Sequence, residues 1–314
     1  MVQTNSLNKP KIVVIGGTTA IGKTEISIKL AKELDGEIIS CDSMQIYKHA
    51  SIGTAKIQKE EMQGVKHYLI DFLEPNEEYS AGQFQKDADK IIKDITIKGK
   101  VPIIVGGTGL YINSLLFPFS ATAPRNEEIR KKFFDILATQ GKQALWQELE
   151  KVDKETAASL HINQTDRIIR ALEIYYTLGI KKSDLIKTKE SPYNYLLIVL
   201  DDDRDKVYER INARAKQMVD GGIIEETKDL IKNYNVTETS PIMKAIGYKE
   251  TLDYIKGNIT KEELADLISL NTRHYAKRQI TYFKKIEGAK FLNRNNYEEI
   301  INVINNFLGR KNGK

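Results

Sequence analysis

Residues 11–16 (KIVVIG) form a short, β-branched apolar run closed by glycine, the pattern of a strand buried on both faces. The apolar spacing then changes to four, with Ile26, Leu30 and Leu34 on one face, which predicts a helix over 22–34. Residues 37–41 (EIISC) and 67–72 (HYLIDF) predict a second and a third strand. Ser80 followed three residues later by Gln83 has the spacing of a capping box and predicts a helix running to about Lys98. Residues 101–105 (VPIIV) predict another strand, which runs into Gly106 and Gly107. Strands that alternate with helices pair in parallel through right-handed crossovers, so this part is expected to be an α/β parallel sheet with helices on both faces.

The pattern changes after Pro124. Residues 125–190 show helical periodicity and no strand, which predicts a helical insertion. Residues 196–200 (LLIVL) return to a strand. Helices are predicted at 204–218, 221–233, 247–256 and 261–286, followed by a strand at 289–292 and a helix at 297–308. The expected organisation is a core domain of residues 1–122 and 195–314, interrupted by a helical insertion domain of 123–194.

Composition narrows the setting. The chain has 314 residues, enough for about two domains. No apolar run approaches the roughly 20 residues that span a bilayer, and the polar N-terminus lacks the apolar stretch of a signal peptide, so a cytoplasmic protein is expected. Cys41 is the only cysteine, which excludes an internal disulfide and a multi-cysteine zinc site. The net charge of +5 is modest, but Arg273, Lys277, Arg278, Lys284 and Lys285 crowd into thirteen residues with no acid among them. On a helix Arg273, Lys277 and Lys284 fall within about 40° of one another, with Tyr275 and Tyr282 opposite. Smaller basic groups recur at Arg210 and Arg214, at Lys244 and Lys249, and in Asp166-Arg167-Ile168-Ile169-Arg170. Each alone reads as a solvated helix face; together they suit an RNA, whose phosphates they could neutralise.

Gly17-Thr18-Thr19-Ala20-Ile21-Gly22-Lys23-Thr24 matches G-x-x-x-x-G-K-[ST] in full and sits between a predicted strand and a predicted helix, as the motif requires. Inward-pointing N–H groups of such a loop bind phosphate oxygens, and glycine allows the close turn. Lys23 would neutralise the outer phosphates and the Thr24 hydroxyl would ligate Mg²⁺. A chance match in this length has odds of roughly one per cent. The motif leaves the ligand open between a nucleotide such as ATP and a simple diphosphate.

Asp42 follows the strand 37–41, and ligands of open α/β sheets lie at the carboxyl ends of strands. It is a candidate general base or magnesium ligand, or else a turn cap. Gly106-Gly107-Thr108-Gly109 follows the strand 101–105 and could wall the same crevice or be no more than a structural turn. Asp71 is the nearest candidate for the magnesium acid of an ATPase, and its strand is a weak one, which argues against ATP hydrolysis.

Several segments together resemble the tRNA dimethylallyltransferase (tRNA isopentenyltransferase) family: GTTAIGKT at 17–24, IISCDSMQIY at 38–47, SIGTAKI at 51–57, HYLIDFLEPNEEYSAGQF at 67–84, PIIVGGTGLYI at 102–112, DRIIRALEI at 166–174, MKAIGYKE at 243–250 and TRHYAKRQITYFKK at 272–285. The resemblance spans nearly the whole chain in order. It implies a P-loop NTPase-like fold and transfer of a dimethylallyl group from its diphosphate to the N6 amine of adenosine 37, in the anticodon stem-loop of tRNAs that read codons beginning with U. Mg²⁺ assists and diphosphate leaves. By motif match Asp42 would be the general base, with Thr108 and Arg210 in the catalytic set, and Gly17 to Thr24 would hold the diphosphate. Asp42, Ser43, Met44, Gln45, Thr108, Arg130, Asp166, Arg167, Ile168, Ile169 and Arg170 would contact the tRNA, as would Lys244, Lys249, Lys277, Arg278, Gln279 and Lys284. A monomer is expected. Thr18 and Ile21 depart from the family's usual Pro and Ser without touching Gly17, Gly22, Lys23 or Thr24. The eukaryotic zinc-finger extension is missing, which points to the bacterial type.

Three rival readings remain at this stage. A small-molecule kinase would explain residues 11–110 but not the basic segments after Arg204. An isopentenyltransferase acting on free adenine nucleotides would not need the basic surface. A non-catalytic RNA-binding protein leaves Lys23 and Asp42 together without a purpose.

Overall fold

The computed structural model describes residues 9–118, 123–185 and 190–310. The chain divides into two compact units, one formed by residues up to Leu116 and from Pro192 onward, the other by Phe117–Ser191. The boundary expected at 122 and residues 186–189 of the predicted insertion lie outside the described residues.

The first unit is built on β1 (Lys11–Gly17), α1 (Lys23–Glu33), β2 (Gly36–Ser40), β3 (His67–Tyr68), α2 (Ala81–Ile97), β4 (Val101–Val105) and α3 (Gly109–Leu116). In the second unit lie α4 (Glu127–Val152), α5 (Lys154–Ser159) and α6 (Thr165–Leu178). The first unit resumes with β5 (Asn194–Asp201), α7 (Arg204–Asp220), α8 (Ile223–Asn233), α9 (Tyr248–Ile255), α10 (Lys261–Phe283), β6 (Lys290–Asn293) and α11 (Tyr297–Leu308).

The six strands form one sheet in the order β3-β2-β4-β1-β5-β6, and every pairing is parallel. Val13 and Ile15 pack with Ile26 and Leu30 of α1, Leu34 just beyond it, and Ile300 and Ile304 of α11. The alternate residues Ile12 and Val14 are also fully buried, so both faces of the sheet are covered. The capping box that opens α2 is formed as predicted, with Gln83 N–H donating to the Ser80 hydroxyl and Ser80 N–H to the Gln83 side chain. The strand predicted over 67–72 is cut to two residues. Only His67 and Tyr68 pair with β2, because Leu69 and Asp71 adopt φ of 56° and 55°, outside extended geometry.

The second unit has its own core, in which Phe133, Leu145 and Leu149 of α4 pack on Ile168, Ile169 and Leu172 of α6. Gly141, at φ 84°, kinks α4 midway.

The sheet order places β4 between β1 and β2, with Val105 opposite both Ile15 and Ser40. The segments that leave the three carboxyl ends are therefore neighbours. Cys41 N–H donates to Val105 O at 2.7 Å, and Thr108 N–H to Cys41 O at 3.3 Å. Gly106 makes this approach feasible, since a Cβ there would lie 2.0 Å from Cys41 O. Gly106→Ala is expected to cost about 1–3 kcal/mol as overpacking against backbone. An unchanged thermal midpoint would show that the two segments are not held so closely.

Candidate active site

The segment between β1 and α1 is the candidate phosphate loop. Gly17 and Gly22 take φ of 145° and 86°, which favour glycine, and Ala20 tolerates 59°. Ile21 is buried at the loop's base. The turn leaves the first N–H groups of α1 at the mouth of a cavity of about 260 Å³, lined by Thr19, Lys23, Thr24, Asp42, Arg214 and Tyr275, among others. The ammonium of Lys23 donates to Gly17 O at 3.2 Å and Thr18 O at 2.7 Å. Burial lowers its pKa to about 8; Asp42 opposes that fall and Arg214 adds to it.

Asp42 leaves β2 into the same cavity. Its Oδ1 accepts from Met44 N–H at 2.9 Å and Gln45 N–H at 3.3 Å. It is thus both a turn cap and a cavity carboxylate: Oδ1 shapes the chain and leaves Oδ2 for other work. Ser43 N–H donates to Thr108 Oγ1 at 3.1 Å, which ties the acid's turn to the second glycine turn. That turn opens α3 rather than ending in loop.

The opposite side of the cavity comes from α10. Gln279, placed on the basic helix and expected at the RNA surface, is instead 5% exposed and joins the two loops. Its Oε1 accepts from Thr19 N–H at 2.9 Å, and its Nε2 donates to Gly107 O at 2.9 Å. One turn earlier Tyr275 lines the cavity and hydrogen-bonds with Thr108, its phenol pushed up to about 12 by burial and by the nearby Asp42. Tyr282 packs on Gly109, where a Cβ would come within 2.2 Å of its ring.

Arg210, expected beside the diphosphate, supports the loop from outside the cavity. Its Nε donates to Ala20 O at 2.9 Å and its Nη2 meets Asp202 Oδ2 at 2.7 Å. Arg214, one turn further along α7, takes the cavity position, with Nη1 3.5 Å from Thr19 Oγ1. Burial lowers the pKa of its guanidinium, and Asp42 opposes this. The site residues missed from sequence are therefore Arg214 and Tyr275, and their signal was helical spacing: Arg214 shares a face with Arg210, and Tyr275 shares one with Gln279. Ile38, Ile70 and Val105 add an apolar wall to the cavity, which sequence alone did not identify. Asp71, the weak magnesium candidate, is held by Lys56 Nζ at 2.6 Å.

The remaining expected RNA contacts separate by exposure. Lys244, Lys249, Lys277, Arg278 and Lys284 are exposed on the first unit. In the second unit Asp166 and Arg167 are exposed. Arg130 and Arg170 reach the buried carboxylate of Glu173 at 3.4 and 2.7 Å. Ile168 and Ile169 are fully buried in that unit's core, so their side chains cannot offer an RNA contact.

Magnesium binds hard oxygens and commonly uses one or two from protein, with waters and substrate phosphates completing the shell. The Thr24 hydroxyl and the Asp42 carboxylate line one cavity and fit that requirement.

A glycine-rich turn before a helix, on a parallel sheet with helices on both faces and a cavity at the strands' carboxyl ends, is the architecture of the P-loop class. The IPP transferase family model matches residues 45–286. The tRNA dimethylallyltransferase of Thermoanaerobacter sp. (strain X514) is 45% identical over 311 residues, covering 96% of this chain and 98% of that protein. The full-length tRNA isopentenylpyrophosphate transferase of Bacillus halodurans has a similar crystal structure, with a TM-score of 0.72 and 42% identity over 96% of this chain and 97% of that one. A eukaryotic dimethylallyltransferase, solved in crystallographic snapshots acting on tRNA, matches with a TM-score of 0.82 and 29% identity over 97% of this chain and 81% of that one. The chain belongs to the IPP transferase family.

The Lys23 ammonium gives the site a pH signature. A bound diphosphate favours the charged form and raises its pKa above about 8. Below that value the charge is already present; above it, binding must take up a proton. Affinity for an organic diphosphate is therefore expected to be flat up to about pH 8 and to fall by up to about tenfold per pH unit beyond it. Calorimetry on the protein and on Lys23→Arg, which keeps its charge, checks this: the same fall in both would assign the titration elsewhere.

Proposed function

We propose that this protein transfers a dimethylallyl group from dimethylallyl diphosphate to the N6 amine of adenosine 37 in the anticodon stem-loop of tRNAs reading codons that begin with U. The observation that carries this reading is one cavity in which a phosphate loop, Lys23 and Arg214 face the carboxylate of Asp42. The name of the Thermoanaerobacter relative and the tRNA-acting eukaryotic neighbour support the substrate pair.

In the reaction the N6–C1 bond forms as the C1–O bond breaks, and the electron pair of that bond leaves with the diphosphate. The loop N–H groups, Lys23 and Arg214 bind the departing diphosphate and stabilise its growing charge. Asp42 orients the amine and accepts its proton. The apolar wall of Ile38, Ile70 and Val105 takes the dimethylallyl chain and keeps water from the reactive carbon. The Thr24 hydroxyl would hold Mg²⁺, which would supply further charge neutralisation at the diphosphate. The adenosine reaches the cavity only after leaving its stack, at a cost of about a few kcal/mol. Lys244, Lys249, Lys277, Arg278 and Lys284 serve the tRNA phosphates, and Arg130, Arg167 and Arg170 do so from the second unit. The enzyme works as a monomer in the cytoplasm; no described helix is long and apolar enough to cross a membrane.

Incubation with labelled dimethylallyl diphosphate and either unmodified tRNA or AMP tests the reading. Label is expected in tRNA alone. Label in AMP would favour a free-nucleotide transferase, and ATP consumption without prenyl transfer a kinase. Asp42→Ala is expected to lower turnover by roughly 10²-fold or more while tRNA binding survives. Asp42→Asn, which retains an oxygen to cap Met44 and Gln45, is expected to be nearly as slow, separating the base from the cap. Near-normal turnover in Asp42→Asn excludes Asp42 as the base.

The RNA surface makes a separate prediction. Lys277→Ala is expected to weaken tRNA binding and to reduce the slope of log affinity against log salt by roughly 0.7–0.9. An unchanged slope would return Lys277 to an ordinary solvated position.

A further inference from the structure

A half-buried carboxylate outside the cavity is bonded to the chain that lines it. Glu226 of α8 accepts from the backbone N–H groups of Ser51, Ile52 and Gly53 at 2.8, 2.9 and 3.0 Å. It also accepts from the Tyr248 hydroxyl at 2.5 Å. Burial, reinforced by Glu226, pushes the Tyr248 phenol up, so it remains a donor. The Tyr248 ring lies flat enough on Gly53 that a Cβ there would come within 2.5 Å of it. Three converging N–H groups make an anion-binding nest, and here the anion is the protein's own side chain. Glu226 does not line the cavity, and the mechanism above gives it no part.

The same segment reaches the cavity at the next two residues, Thr54 and Ala55. Thr54 O and Ala55 O accept from Gln45 Nε2 at 3.3 and 3.1 Å. Carbonyls only accept, so the Gln45 amide must turn its NH₂ toward them and keep Oε1 as its other end. Gln45 lines the cavity with Asp42, whose Oδ1 is already engaged by Met44 and Gln45 N–H. The cavity thus presents two acceptors, Gln45 Oε1 and Asp42 Oδ2. An exocyclic amine has two N–H groups, and donating one to each acceptor leaves its nitrogen free to face the electrophilic carbon. A keto oxygen in the same place would meet two acceptors and be refused.

We propose that Glu226 is a positioning residue for the amine: by clasping the 51–53 backbone it holds the Thr54 and Ala55 carbonyls that orient Gln45, and so sets the second acceptor beside Asp42. This rests on the prenyl transfer proposed above. Lys56, whose Nζ donates to Tyr47 O and Asp71, ties the far end of the segment independently, so loss of Glu226 releases the orientation without unfolding the segment.

The test is a double-mutant cycle on tRNA prenylation with Glu226→Gln, Gln45→Ala and the pair. Each single change is expected to lower kcat/KM for tRNA by about tenfold or more, equivalent to one lost charge-assisted hydrogen bond. The double variant is expected to be no slower than Gln45→Ala, and KM for dimethylallyl diphosphate to stay within about twofold throughout, because the phosphate loop is untouched. Effects that multiply, normal turnover in either single variant, or a matching rise in KM for dimethylallyl diphosphate would overturn the proposal. Should Glu226→Gln not fold, Tyr248→Phe, which removes one hydrogen bond only, replaces it: a loss that vanishes in the Gln45→Ala background supports the role, and normal or multiplicative turnover rejects it. A wild-type protein that prenylates no tRNA at all rejects the function instead and is read before any variant.

Discussion

The position of β4 between β1 and β2 is the constraint on which the site rests. In a parallel sheet every strand delivers its carboxyl end to the same edge, so three neighbouring strands deliver three segments side by side. The phosphate loop leaves β1, the Asp42 turn leaves β2 and the Gly106–Gly109 turn leaves β4 between them. The hydrogen bonds from Cys41 N–H to Val105 O and from Thr108 N–H to Cys41 O continue the ladder beyond the strands themselves. The proposed site, which sets a phosphate loop and a carboxylate side by side, gains its rigidity from the sheet, and only its chemistry from the loops.

Helix α10 then closes the arrangement and divides its two faces between two tasks. Tyr275, Gln279 and Tyr282 face the strand ends, where Gln279 joins Thr19 to Gly107. Lys277, Arg278 and Lys284 face solvent. A helix that is basic outside and loop-bridging inside links the two halves of the proposed reaction, since a shift of α10 would move phosphate loop and RNA surface together. Carboxylates make the corresponding joints elsewhere. Glu226 anchors the 51–53 backbone, and Glu173 orients Arg130 and Arg170 within the second unit.

Most of the sheet and the phosphate loop were legible in the sequence because both are local: strand periodicity, helix spacing and an eight-residue motif need no partner. The second unit's helices were readable for the same reason. Where the reading failed, a distant contact decided. The segment after Tyr68 is apolar enough for a strand, yet Leu69 and Asp71 turn out of extended geometry, and Asp71 pairs with Lys56, fifteen residues earlier. Arg210 and Arg214 are indistinguishable as letters. Which of them meets the cavity depends on Asp202 and Ala20 capturing Arg210 first. Gln279 sits among cations in sequence but is turned inward by two loops more than 170 residues away. Ile168 and Ile169 lie in a motif between arginines, and only packing against Phe133 and Leu149 shows that they are core.

The electrostatics of the cavity suit the proposed diphosphate better than a monoanion. Within the protein two cations, Lys23 and Arg214, face a single carboxylate, and burial lowers the pKa of both cations. Burying like charges together is unfavourable unless a ligand brings more than one compensating charge, so the site favours a polyanion over a monoanion. Product release sets the opposing demand, because a cavity that held diphosphate too firmly would stop after one turnover. The carbonyls of Gly17 and Thr18 ease that demand. They give the Lys23 ammonium partners of its own at 3.2 and 2.7 Å, so the departing diphosphate leaves behind a satisfied cation and not a bare one. Arg214 has no comparable carbonyl pair and leans on Asp42 instead. In the proposed reaction the carboxylate that would accept the amine's proton is thus also a counter-ion of the site, and protonating it would weaken the hold on Arg214 while the diphosphate is still bound. On that account the proposed proton transfer would tighten the grip on the leaving group at the moment its charge develops, and the grip would relax when Asp42 loses its proton again.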